Sequence, residues 1–213
     1  MTQLHSERYV AMNKGGLGLL VWCLVCSGPV AAQVPAREQQ ISEALAVLRE
    51  QDRVGATVLG YDSPGAALQP ILVGDGVFVC LADAPGDSEL RVSCYHRSLE
   101  PFMARGRELA AEGVDPAERR RIRGEEIAAG DLEMPERALL MNAMGPRDPA
   151  TGVPDTITVL RVIYLPFATT ENTGIPDRPS GDNGPWIMDA GLHRAHVMLA
   201  PERRAFEPAP VGR

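Results

Sequence analysis

Five cysteines and histidines lie beyond residue 32, side chains with the chemistry of metal ligands, bases or redox centres: Cys80, Cys94, His96, His193 and His196. The two cysteines fall in the stretch from Val77 to His96, which reads as two strands around a Pro85-Gly86 turn. In an oxidising compartment the expectation is a disulfide between neighbouring strands, closing a loop of about 15 residues. The alternative is a zinc site built from Cys80, Cys94 and His96 with His193 or His196, because zinc accepts mixed thiolate and imidazole ligands. Structural zinc sites usually contain a close pair such as C-x-x-C, and Cys94-Tyr-His96 is a weak substitute. The disulfide is therefore preferred, and neither metal nor cofactor is expected.

The histidines also bear on catalysis. His193-Arg-Ala-His196 would put two imidazoles on one face of a helix but on opposite faces of a strand. Gly191 and the apolar Val197-Met-Leu199 favour a loop running into a strand, so a shared metal is discounted and a backbone bond is the expected role of His196. In His96-Arg-Ser-Leu-Glu100, His96 is a candidate general base oriented by Glu100, or the activator of Ser98 as nucleophile. The plainer reading makes Ser98 a helix cap with Pro101 in the first turn. Among the acids, Asp177, Asp182 and Asn183 do not match a calcium-loop spacing. Adjacent Glu125 and Glu126 do not converge as a catalytic pair. Trp186 and Asp189 are candidate ligand-binding residues. Arg119-Arg-Arg-Ile-Arg123 reads as a solvated helix face paired with Glu118, Glu125 and Glu126, with an anion-binding patch as the alternative.

Periodicity supplies the elements that must hold these residues. Ile41, Ala44, Leu45 and Leu48 predict an amphipathic helix over residues 37–53, ended by Gly55. Residues 56–60 predict a strand. Residues 68–73 and 77–81 predict two more, joined as a hairpin by Gly74-Asp75-Gly76. With residues 89–95 they make an antiparallel meander. Helices are predicted over 99–112, with Pro101 in its first turn, and over 116–129, where Asp115-Pro-Ala-Glu118 is an N-cap signature. Residues 138–143 and 156–165 predict strands, the second central because its apolar run is nearly continuous. A long Thr-, Gly-, Pro- and Asn-rich connection over 166–185 precedes two short strands, 185–188 and 196–199, and a flexible C-terminal tail over 201–213.

The first 32 residues read as a signal peptide. Asn13 and Lys14 form the n-region, 17–26 the apolar h-region, and Val30-Ala-Ala32 the cleavage site; Met12 is the alternative start. Cys23 and Cys26 lie inside the h-region, where a redox motif has no place. The apolar run is short of the roughly 20 residues that span a bilayer. Removing Glu7, Arg8 and Lys14 leaves 19 basic against 27 acidic residues, a net charge of −8, and no lysine. Such a chain is a poor partner for nucleic acid or anionic membranes and has no Schiff-base chemistry.

Phe78-Val-Cys-Leu-Ala-Asp83, Cys94-Tyr-His-Arg-Ser-Leu-Glu-Pro-Phe-Met-Ala-Arg-Gly-Arg-Glu-Leu109 and Ala195-His-Val-Met-Leu-Ala-Pro201 resemble uncharacterised secreted bacterial proteins. The resemblance covers about a quarter of the processed chain and implies no activity. The expectation is a single exported α+β domain over residues 33–200. It would have a mostly antiparallel sheet of about six or seven strands, with two or three helices packed on one face. Its expected function is non-enzymatic binding of a small molecule or protein through the 166–185 loop and Trp186, in the periplasm or outside the cell, with no stable membrane insertion after cleavage. The alternative is a hydrolase or metal-dependent enzyme using His96 with Glu100, Asp189, His193 or His196.

Overall fold

β-Branched and aromatic residues at alternating positions, broken by Gly and Pro, build one mixed, mostly antiparallel sheet of nine strands. The computed structural model describes residues 34–211. The expected signal peptide, with Cys23 and Cys26, lies outside them. In chain order the elements begin with α1 (Arg37–Leu45), α2 (Glu50–Arg53), β1 (Thr57–Gly60), β2 (Gln69–Leu72), β3 (Phe78–Leu81) and β4 (Glu89–His96). A 3₁₀ turn (Arg97–Leu99) leads into α3 (Glu100–Ala111) and α4 (Pro116–Ala129). There follow β5 (Ala138–Pro146), β6 (Thr156–Tyr164), the single turn α5 (Thr170–Thr173), β7 (Trp186–Met188), β8 (His196–Met198) and β9 (Glu202–Ala205). None of the described helices is long and apolar enough to cross a membrane.

The spatial order is β2-β1-β3-β4-β5-β6-β8-β7, with β9 beside the first half of β6. Side-chain alternation sorts the core onto two faces. Val58, Cys80, Leu90, Val92, Cys94, Met141, Ala143, Ile157 and Val159 meet Ile41, Ala44 and Leu45 of α1. Leu59, Val79, Tyr95, Leu140 and Val162 meet Leu99 and Met103 at the start of α3. The α+β class and antiparallel sheet are as expected, but the helices divide between the two faces instead of sharing one. The Cys80–Cys94 disulfide is present, joining directly opposed residues of β3 and β4 with both side chains fully buried.

Three local expectations give way. The predicted helix over 37–53 stops at Leu45 and resumes for one turn at Glu50, which lets Ala46, Val47 and Leu48 all turn inward. The Gly74-Asp75-Gly76 turn does not close a hairpin. β1 lies between β2 and β3, antiparallel to the first and parallel to the second, so the loop passes under the start of β1. Two glycines make that crossing possible: a Cβ on Gly74 or Gly76 would overlap the Gly55 backbone. Thr57 Oγ1 and Arg97 secure the loop by donating to the Gly74 carbonyl at 3.0 and 2.8 Å. The predicted tail after Pro201 is instead the strand β9, and Ala209 is buried, with its N–H donating to Ser42 O at 3.1 Å. Its charged residues hid the pairing, because β9 is an edge strand bonded only to β6 and none of its four residues is buried.

Candidate functional site

Helix α4 carries its charge on two sides. Arg121 faces solvent and pairs with Glu118 and Glu125, as the sequence predicts. Arg119, Arg120 and Arg123 face the other way, because positions 116, 119, 120 and 123 recur three and four apart along one stripe. With Phe102, Met103, Gly106, Arg107 and Ala110 of α3, and Tyr164, Asp189, Arg194 and His196 at the C-terminal strands, they line a cleft of about 430 Å³.

Arg123 is the most constrained of these. Its guanidinium lies 4.0 Å from the centre of the Phe102 ring, donates to Phe102 O at 3.1 Å and to Arg119 O at 3.3 Å. It fits because α3 has glycine at 106: a Cβ there would lie 2.9 Å from Arg123 Nη1. Burial lowers the pKa of Arg123, and the positive charges of Arg119, Arg194 and Arg120 lower it further. Two other arginines of the cleft are neutralised. Arg107 binds Glu100 at 2.5 Å and Tyr95 Oη at 2.8 Å, and Arg194 grips Asp189 through two bonds of 2.8 and 2.9 Å. Arg119, Arg120 and Arg123 form no ion pair with any acid among the described residues.

The sequence-predicted residues divide around this cleft. His196 lines it: Nδ1 lies 2.9 Å from Arg194 O and the ring stacks on Tyr164 at 5.2 Å. Donation from Nδ1 to that carbonyl would leave Nε2 as the acceptor. His193 lies behind the wall, edge-on to Phe102 at 6.0 Å and beneath α4, where a Cβ on Gly124 would lie 2.8 Å from its Cε1. Its Nε2 is buried with no hydrogen-bond partner among the described residues, and burial, then Arg194 and Arg123, lower its pKa. Asp189 reaches the cleft only as the clamp on Arg194, from a backbone at φ 59° that Gly191 helps to turn. Trp186 sits elsewhere, beside a hollow of about 80 Å³ against Leu199, Ala200 and Pro201.

His96 stands apart from the other two histidines. It lies opposite Phe78 on the α1 side of the sheet, whereas Tyr164 and His196 belong to the α3 side. Its Nδ1 accepts from the Ser98 N–H at 3.2 Å and lies 2.8 Å from Ser98 Oγ, so the imidazole caps the 3₁₀ turn and Ser98 does not cap α3. Glu100 does not orient His96; it is held by Tyr95 and Arg107. No group of three or more His, Cys, Asp and Glu side chains with metal-binding geometry occurs among the described residues.

Sequence reasoning prefers a solvated face for Arg119 to Arg123 and keeps the anion-binding patch only as the alternative, without separating Arg119, Arg120 and Arg123 from Arg121. The signal was the α4 stripe itself, where Pro116, Arg119, Arg120, Arg123, Gly124 and Ile127 fall on one side and leave Glu118, Arg121 and Glu125 on the other. Comparison with known proteins finds no matching family model, curated protein or solved structure.

Proposed function

We propose that the chain is an exported, non-enzymatic domain that binds a small organic anion in the α3–α4 cleft. One observation carries this reading: three arginines without a carboxylate partner among the described residues line one cleft, Arg119 and Arg123 half-buried and Arg120 at its exposed rim, in a chain whose net charge is −7. Charge partly withdrawn from water, as on Arg119 and Arg123, is costly unless something neutralises it, and a bound anion does so. Guanidinium is the cation suited to this, because its planar fork meets carboxylate or phosphate oxygens in pairs. Phe102, Met103, Ala110 and Pro116 supply the apolar wall that a small-molecule site needs. The disulfide hints at an oxidising compartment, which fits export.

The test is a thermal-shift and calorimetric panel of small carboxylates, sulfonates and phosphate esters, with neutral and cationic counterparts. Only anions should raise the melting temperature, and an Arg119→Ala/Arg120→Ala variant should lose the response. Equal stabilisation by a neutral or cationic counterpart would sink the proposal.

A further inference from the structure

The charge balance of the cleft constrains the valence of its ligand. Five arginines line it, and internal acids answer two: Glu100 neutralises Arg107, and Asp189 neutralises Arg194. The remaining three lie within one stripe of α4, so their charges share a small volume. Arg123 is half-buried, and its carbonyl partners accept hydrogen bonds without cancelling its charge. Arg119 is half-buried as well and Arg120 sits at the exposed rim, so a ligand with a single negative charge would leave positive charge uncompensated in a site made drier by its own binding. A ligand with two or three charges would balance them.

We infer that the ligand is a small organic anion carrying at least two negative charges, with its anionic oxygens on Arg119, Arg120 and Arg123 and its uncharged part against Phe102, Met103 and Tyr164. The inference rests on the reading of this cleft as an anion site. Phosphate monoesters and polycarboxylates share the required chemistry, each offering several oxygens to forked guanidinium donors. The cleft volume of about 430 Å³ suits a compound with a ring or short chain beside its charged group. Extended polyanions are disfavoured because the rest of the surface is acidic; outward-facing Glu118 and Glu125 flank Arg121 on the same helix. The uncharged end also meets the stacked rings of Tyr164 and His196, which line the same cleft.

Titration calorimetry at constant ionic strength and pH 7.5 separates the cases with three probes sharing one ring. These are benzoate, phenyl phosphate and benzene-1,3,5-tricarboxylate. Phenyl phosphate, the tricarboxylate or both should bind at least about tenfold tighter than benzoate, equivalent to roughly 1.4 kcal/mol. Preference for phenyl phosphate identifies a phosphoryl site, and preference for the tricarboxylate a polycarboxylate site. Arg119→Gln/Arg120→Gln should reduce the ratio to about threefold or less, since the selectivity comes from their charge. Arg121→Gln, on the solvent side of the helix, should leave it unchanged and controls for loss of α4. Benzoate binding as tightly as both multivalent probes overturns the valence inference while leaving the anion site standing. Failure of all three probes to bind overturns the anion site as well.

Discussion

On the α1 side of the sheet, Arg147 is shared by two carboxylates, Glu43 at 2.8 Å and Asp83 at 2.7 Å, with none of the three side chains more than 14% exposed. On the α3–α4 side, Arg123 is held by a ring and two carbonyls, with no ion pair to an acid among the described residues. Both guanidiniums are fixed in place, yet only the first is neutralised by an acid among the described residues. The difference separates charge used to join elements from charge left for something that is not part of the fold. Arg147 ties α1 to the β3–β4 turn and the end of β5, and it also donates to Gly152 O at 2.8 Å. Arg123 reaches only its own helix and the start of α3.

That contrast predicts unequal losses from the same substitution. Arg147→Met leaves two carboxylates facing each other in the interior, and removing one partner of a buried ionic group costs about 3–5 kcal/mol. Arg123→Met orphans no acid and keeps the stacking volume over Phe102, so its cost stays within about 1 kcal/mol. Urea unfolding of both variants at pH 7 measures the two numbers, and equal losses would show that the two arginines have the same role.

Reduction of the disulfide should come next in size. Cys80 and Cys94 close a loop with a sequence separation of 14, so breaking the bond costs roughly 3 kcal/mol by the chain-entropy relation. Both side chains belong to the α1-side core, and the cleft lies on the far face. Urea midpoints with and without dithiothreitol should therefore separate clearly while affinity for phenyl phosphate changes little. A parallel collapse of affinity would mean that the two faces are not independent.

Local chemistry predicted the α+β class, most strands, the disulfide and the N-cap of α4, because each depends on neighbouring residues. Asp115 accepts from Ala117 and Glu118 N–H, and Gly130 adopts φ 83°, as an N-cap and a C-cap should. What escaped prediction depends on distant partners. Gly74-Asp75-Gly76 has hairpin composition, but its path is set by Gly55, nearly 20 residues earlier, and by Arg97. Phe206 and Ala209 look like tail residues until α1 receives them. The cleft was concealed for a related reason. An arginine run with glutamates around it satisfies the rule for helical ion pairs, and only the position of α3 reveals which arginines those glutamates do not reach.

Gly106 offers a finer test of the cleft side. Glycine inside a helix costs about 1 kcal/mol relative to alanine, and here the missing Cβ makes room for Arg123. Gly106→Ala should raise stability by up to about 1 kcal/mol, since the displaced group is the end of a flexible side chain, and should weaken binding of phenyl phosphate several-fold. Thermal unfolding and calorimetry on the same protein read both quantities. Unchanged affinity would show that the position of Arg123 is not what the glycine preserves.

The smallest effects concern pH, and their signs differ between the two faces. On the cleft side, burial holds the pKa of His193 below its ordinary 6.5, so the folded chain binds fewer protons there than the unfolded one. The stability this contributes is complete above pH 6.5 and is lost as pH falls through the folded pKa. On the α1 side, burial raises Asp83 above its ordinary 3.8 despite the bond from Arg147, so the folded chain holds that proton more tightly. Its contribution is complete below pH 3.8 and is lost as pH rises through the folded pKa. Unfolding free energies measured from pH 3 to 8 should fall on acidification from pH 7 to 5, and His193→Gln should flatten that fall. Asp83→Asn, which keeps the Arg147–Glu43 pair, should leave the His193 step in place and remove the decline on raising the pH through the carboxylate range. A His193→Gln profile parallel to that of the unsubstituted chain between pH 5 and 7 would show that the buried imidazole is not the group responsible, whatever Asp83 does on the other face.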